Sequence, residues 1–81
     1  MEIIVDCYGV TARLAGGPEH VIGLTPGARI ADLLDMLGAR WPELAKVLPA
    51  CACAVGDTVV SRTHALAGGE RLALLPPVSG G

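Results

Sequence analysis

The sequence has no phenylalanine, and Tyr8 and Trp41 are its only aromatic residues. A chain of 81 residues that is 52% apolar must therefore build an aliphatic core. One domain is all the length allows. At this size folding buries about 60–65% of the unfolded surface, which leaves little spare material to enclose a catalytic cavity. Basic residues are few and scattered, six in all, and Lys46 is the single lysine. Nucleic-acid binding needs a concentrated basic face, so no nucleic-acid partner is expected. No apolar run approaches the ~18 residues that span a bilayer, and "MEIIVDCYG" lacks the basic start of a secretory signal. The expectation is a cytoplasmic protein with no membrane partner.

Cysteine is also sparse. Cys7, Cys51 and Cys53 are odd in number and form no CxxC pair, so neither a disulfide framework nor a metal site is signalled. If "CACAV" is a strand, Cys51 and Cys53 share a face about 6.5–7 Å apart, at or beyond the reach of a bridge. Small buried hydrophobes in a reducing compartment is the expected role.

What is present is a clear alternation of periods. "EIIVDCY" (2–8) alternates, with Ile3, Val5 and Cys7 on one face, and reads as a strand. Gly16-Gly17-Pro18 signals a turn, and "HVIGL" (20–24) reads as a second strand; the longer connection between them carries no assigned conformation. Ile30, Leu33, Leu34, Leu37 and Trp41 then recur at helical spacing and predict a helix over about 29–41. Asp32 in its first turn and Arg40 in its last suit the helix dipole, and Pro42 forbids continuation. "PELAKVL" suggests a further short turn of helix. After Pro49 the period returns to two: "CACAV" and "TVV" flank Gly56-Asp57, a hairpin signal, and "ERLALL" (70–75) is the last strand.

The order β-β-α-β-β-β has one helix with one apolar stripe, enough to cover one face of one sheet. The expected fold is α+β, a mixed sheet packed on one main helix, with the first strand pairing the last. Residues 1–75 form the domain and residues 76–81 a flexible C-terminal tail.

Within the domain little chemistry presents itself. His20 and His64 stand alone, Asp32 and Asp35 lie on the helix face opposite the apolar stripe, and the Gly-Gly pairs read as turns rather than phosphate loops. Nothing supports an enzyme that works alone. The tail "PPVSGG" is different. Pro76 and Pro77 supply no N–H and favour an extended exit, while Gly80 and Gly81 have no side chains. Six such residues reach about 18–20 Å at 3.1–3.3 Å each. This is a stiff arm with a narrow tip that carries the α-carboxylate. A carboxylate is a poor electrophile until activated, for instance as an acyl-adenylate. The chain shows no ATP site, so the activation falls to a partner and no bound cofactor is expected.

Residues 55–81, "VGDTVVSRTHALAGGERLALLPPVSGG", resemble the closing segment of the small subunit of molybdopterin synthase (MoaD), within the MoaD/ThiS sulfur carriers related to ubiquitin. The helix "ARIADLLDMLGARWPEL" is similar to that family's helix. The resemblance implies a ubiquitin-like β-grasp fold and a set of partners. A MoeB-like enzyme would adenylate Gly81 using ATP, and a sulfur donor would convert it to a thiocarboxylate. A MoaE-like large subunit, in a heterotetramer, would then receive the tail and pass its sulfur to cyclic pyranopterin monophosphate. In that scheme Gly81 carries the sulfur and Gly80 keeps the tip narrow. Pro76, Pro77, Val78 and Ser79 set reach and register inside the partner. Three alternatives stay open: a carrier for another product, such as thiamine thiazole or cysteine, a ubiquitin-like modifier that joins Gly81 to lysines, and a plain binding module with a disordered tail.

Overall fold

The computed structural model describes residues 1–77. Five strands form one sheet in the spatial order β2-β1-β5-β3-β4. β1 (Glu2–Cys7) and β5 (Arg71–Leu75) lie at its centre and run parallel, with Ile4 beside Arg71 and Cys7 beside Leu74. β2 (Glu19–Gly23) flanks β1, and β3 (Ala52–Val55) flanks β5, both antiparallel. β4 (Thr58–Val60) closes the other edge through a two-residue hairpin at Gly56-Asp57. There only Gly56 has positive φ, 61°, the position of a II′ turn where glycine is favoured.

The alternation read from the sequence becomes the inner face of this sheet. Ile3, Val5, Cys7, Cys53, Leu72 and Leu74 are all buried. The main helix is α2 (Ile30–Arg40), which lays Ile30, Leu33, Leu34 and Leu37 into the same cluster. Its start is fixed by Asp32, whose carboxylate accepts the Arg29 backbone N–H at 2.8 Å. Trp41 donates its backbone N–H to Leu37 at 2.9 Å, and Pro42 then opens a separate short helix, α3 (Pro42–Ala45). A 3₁₀ turn at Leu48–Ala50 leads into β3. It is tied down by Arg62, whose Nη2 donates to the carbonyls of Leu48 and Cys51 at 2.8 and 2.9 Å.

One element was not expected. Val10–Leu14 forms a five-residue helix, α1, in the connection between β1 and β2. A single turn is too short to show helical periodicity, so pattern reading has nothing to register there. The remaining ends differ from expectation by a residue. Cys51, placed in the strand by its alternation, lies just before β3 and still packs into the core. Among the described residues no helix is long and apolar enough to cross a membrane.

Leu33 is fully buried between α2 and the sheet. Leu33→Ala is expected to cost about 2–5 kcal/mol of unfolding free energy in a urea titration. Asp32→Ala, losing only the cap, is expected to cost about 1 kcal/mol in the same titration.

Candidate functional site at the exit of the last strand

β5 is a central strand, yet it ends abruptly at Pro76 because both of its neighbours leave the sheet at the same level. On one side β3 begins at Ala52, paired with Leu75, and the residue before it donates its N–H back to Leu48. On the other side β1 ends at Cys7, beside Leu74. Pro76 is half-buried and Pro77 exposed. Of the six tail residues singled out from the sequence, these two are placed by the structure. Val78, Ser79, Gly80 and Gly81 lie outside the described residues.

The sheet face turned away from α2 adjoins this exit. Register places Ala73 of β5 beside Ala54 of β3, which in turn pairs with Val59 of β4; Ala52 lies beside Leu75. The result is a low apolar surface built mainly of alanines and bounded by Leu75 and Val59, the latter 67% exposed. The period-two runs "ACAV" and "RLALL" carry it in the sequence, since beyond Arg71 their outward positions Ala52, Ala54, Ala73 and Leu75 are apolar as well as their inward ones. Across β5 the same face turns charged. Arg71 Nη1 donates to Asp6 Oδ1 and Glu19 Oε2, each at 2.7 Å. The hydrogen bond to Glu19, then the charge of Asp6, hold the guanidinium proton more tightly than usual.

The isolated side chains resolve into structural roles. The His20 ring packs on Trp41 with centroids 4.6 Å apart, and the Arg40 guanidinium lies 4.6 Å from the same indole. Nε2 of His20 is buried and has no hydrogen-bond partner among the described residues. Lys46 pairs with Glu43 on the surface at 3.1 Å. Asp32 caps its own helix and Asp35 is exposed. All three cysteines are free and buried. Burial pushes each thiol above its ordinary value. At Cys7 the charge of Asp6 adds to this, whereas at Cys51 and Cys53 the Arg62 cation opposes it. Thiolate chemistry is thereby disfavoured. Among the described residues no group of three or more His, Cys, Asp or Glu side chains is arranged to hold a metal ion.

A five-stranded mixed sheet on one helix, with its last strand central and its C-terminus leaving beside the first strand's end, defines a ubiquitin-like β-grasp protein. The ThiS family matches residues 5–81, and the chain belongs to that family. The molybdopterin synthase sulfur carrier subunit of Chlamydomonas reinhardtii is 34% identical over 83 residues, covering 100% of both chains. Two solved structures share the fold closely. The putative molybdopterin converting factor subunit 1 of Pyrococcus furiosus has a TM-score of 0.88 at 26% identity, covering 96% of this chain and 99% of that one. SAMP1 of Haloferax volcanii has a TM-score of 0.87, also at 26% identity, over 100% of each chain.

The buried thiols set a pH dependence. A thiol whose folded pKa is raised contributes stability that is complete below the unfolded value. That stability is lost as pH climbs from about 8.5 through the folded value. The urea midpoint is therefore expected to be flat from neutral pH to about 8.5 and to fall above it, and less steeply in Cys53→Ala. A midpoint that rose with pH across that window would contradict the burial.

Proposed function

We propose that the chain is the sulfur-carrier small subunit of a molybdopterin synthase, with no catalytic activity of its own. Residues 1–75 act as the docking domain and residues 76–81 as the arm. The observation that carries this is the position of β5: the domain's central strand ends at the prolines, with no neighbouring strand level with them to pair the chain further. Membership of the ThiS family and identity to a sulfur carrier subunit support it.

In this reading the Gly81 carboxylate attacks the α-phosphorus of ATP on a MoeB-like partner, releasing pyrophosphate and leaving an acyl-adenylate. Hydrosulfide released by a sulfur donor then attacks the acyl carbon, the bond from that carbon to the AMP oxygen breaks, and the tip becomes a thiocarboxylate. The arm next enters a MoaE-like large subunit, where the sulfur passes to cyclic pyranopterin monophosphate. Gly80 keeps the tip slim enough for a narrow channel, and Pro76 to Ser79 give it length at low entropy cost. ATP belongs to the partner, so the carrier itself holds no cofactor. The alanine face beside the exit provides the docking surface, since small outward side chains let a partner approach the sheet closely. A cytoplasmic setting, where ATP is available, suits the scheme.

One observation favours a second reading, a protein modifier that links Gly81 to lysines: SAMP1, the small archaeal modifier protein 1 of Haloferax volcanii, matches as closely in fold as the converting-factor subunit does. Intact mass after incubation with ATP, an adenylating enzyme and a sulfur source separates the two. The carrier gains the mass difference of sulfur for one oxygen; a modifier yields isopeptide-linked products. Deleting Gly81, or adding one residue after it, is expected to abolish sulfur delivery while the urea midpoint stays unchanged. Delivery by the extended protein without trimming would defeat the proposal.

A further inference from the structure

The end of β1 is built around the base of the arm. In β1 the residues that bond towards β5 alternate, beginning with Ile4, whose N–H donates to Glu70 at 3.0 Å. Carrying that alternation to Tyr8 sets its N–H opposite the Leu74 carbonyl and its C=O opposite the Pro76 nitrogen, which bears no hydrogen. The ladder cannot complete there. Thr11 takes both groups instead: its Oγ1 accepts the Tyr8 N–H at 2.9 Å and donates to the Tyr8 carbonyl at 2.6 Å. The Thr11 backbone N–H adds a second bond to that carbonyl at 3.1 Å. Thr11 is fully buried, the one buried polar side chain among the described residues. Its hydroxyl thus serves to end the strand.

The turn so closed runs Tyr8-Gly9-Val10-Thr11, with Gly9 at φ 55° and ψ −127°. This is the first central position of a II′ turn, a conformation that residues with a Cβ rarely adopt. A Cβ at Gly9 would also stand 3.4 Å from Pro76 Cγ. At that distance a Cβ would meet Pro76 in ordinary contact, so it is the backbone conformation that calls for glycine, and the turn lies directly beside the point where the arm leaves the fold.

We infer that the Tyr8–Thr11 turn is the seat of the arm, with Gly9 and Thr11 as positioning residues that set where and in which direction residues 76–81 depart. Gly9 takes the left-handed conformation that brings the turn against the Pro76 ring. Thr11 satisfies the two backbone groups of Tyr8, which would otherwise be open to the emerging chain. The reach of the arm matters only if its origin is held, because a displaced base moves the tip by a similar distance. This inference rests on the sulfur-carrier reading for its consequence, but not for its geometry.

Two measurements on the full-length protein test it. Proton NMR is expected to show nuclear Overhauser contacts between Pro76 and Gly9 in the native chain. They should be lost in Thr11→Val and Gly9→Ala and kept in Thr11→Ser, with core contacts retained in all three. With a MoeB-like enzyme and ATP, pyrophosphate release is followed against carrier concentration. Thr11→Val is expected to raise the half-saturating concentration at least about tenfold, and Thr11→Ser to restore it. Ile22→Val, a core loss on β2 far from the exit, is expected to leave it unchanged. Thr11→Val spares the backbone geometry and decides the matter if Gly9→Ala fails to fold. Absence of the Pro76–Gly9 contacts in the native protein, or their survival in Thr11→Val with unchanged half-saturation, would overturn the inference. If the native chain is not adenylated at all, the carrier reading falls, while the NMR contacts still decide the seat.

Discussion

The parallel pairing of β1 with β5 is the constraint on which everything else depends. Two parallel strands cannot be joined by a tight turn, so all the chain between Cys7 and Arg71 is in effect one long crossover. That crossover has to carry a helix across one face, and α2 is the element with an apolar stripe long enough to do so. It also has to supply the flanking strands, which it does with β2 on one side and the β3–β4 hairpin on the other. Because the pair is central, Leu72 and Leu74 are shielded on both flanks and fully buried, and they anchor the C-terminal segment firmly up to its last paired residue.

The same pairing decides where the proposed arm leaves the fold. A parallel partner means that β1 and β5 finish at the same edge of the sheet, so the turn after β1 meets the chain after β5. Tyr8 to Thr11 and Pro76 are 65 or more residues apart in sequence and adjacent in space. On the β3 side the 3₁₀ turn, held by Arg62, removes the other possible strand partner. The domain thus combines a rigid origin with an end that no neighbouring strand extends. That combination suits an arm whose proposed work is to deliver one carboxyl group into other proteins.

Much of this was legible in the chain. The helix over 29–41 and the strands before and after it follow from periodicity, because a long amphipathic element repeats its signal several times. α1 escaped because a single turn repeats nothing. The buried role of the cysteines followed from spacing and number, and the structure packs all three into the core. The tail was identified by its prolines and glycines together with the lack of other chemistry. Thr11 escaped: a lone threonine in a short connection carries no pattern, and its importance lies in which carbonyl it meets.

By itself the sequence determined the five strands, the main helix, the aliphatic core and the residues of the proposed arm, because these depend on local period and on the chemistry of single residues. Only the tertiary structure decided that β1 and β5 pair in parallel and finish at the same end of the sheet, that the outward alanines of β3 and β5 form one surface with Val59, and that Gly9 and Thr11 stand beside Pro76. Such facts depend on strand order and register. These are fixed by packing between segments distant in the chain, and no local pattern encodes them.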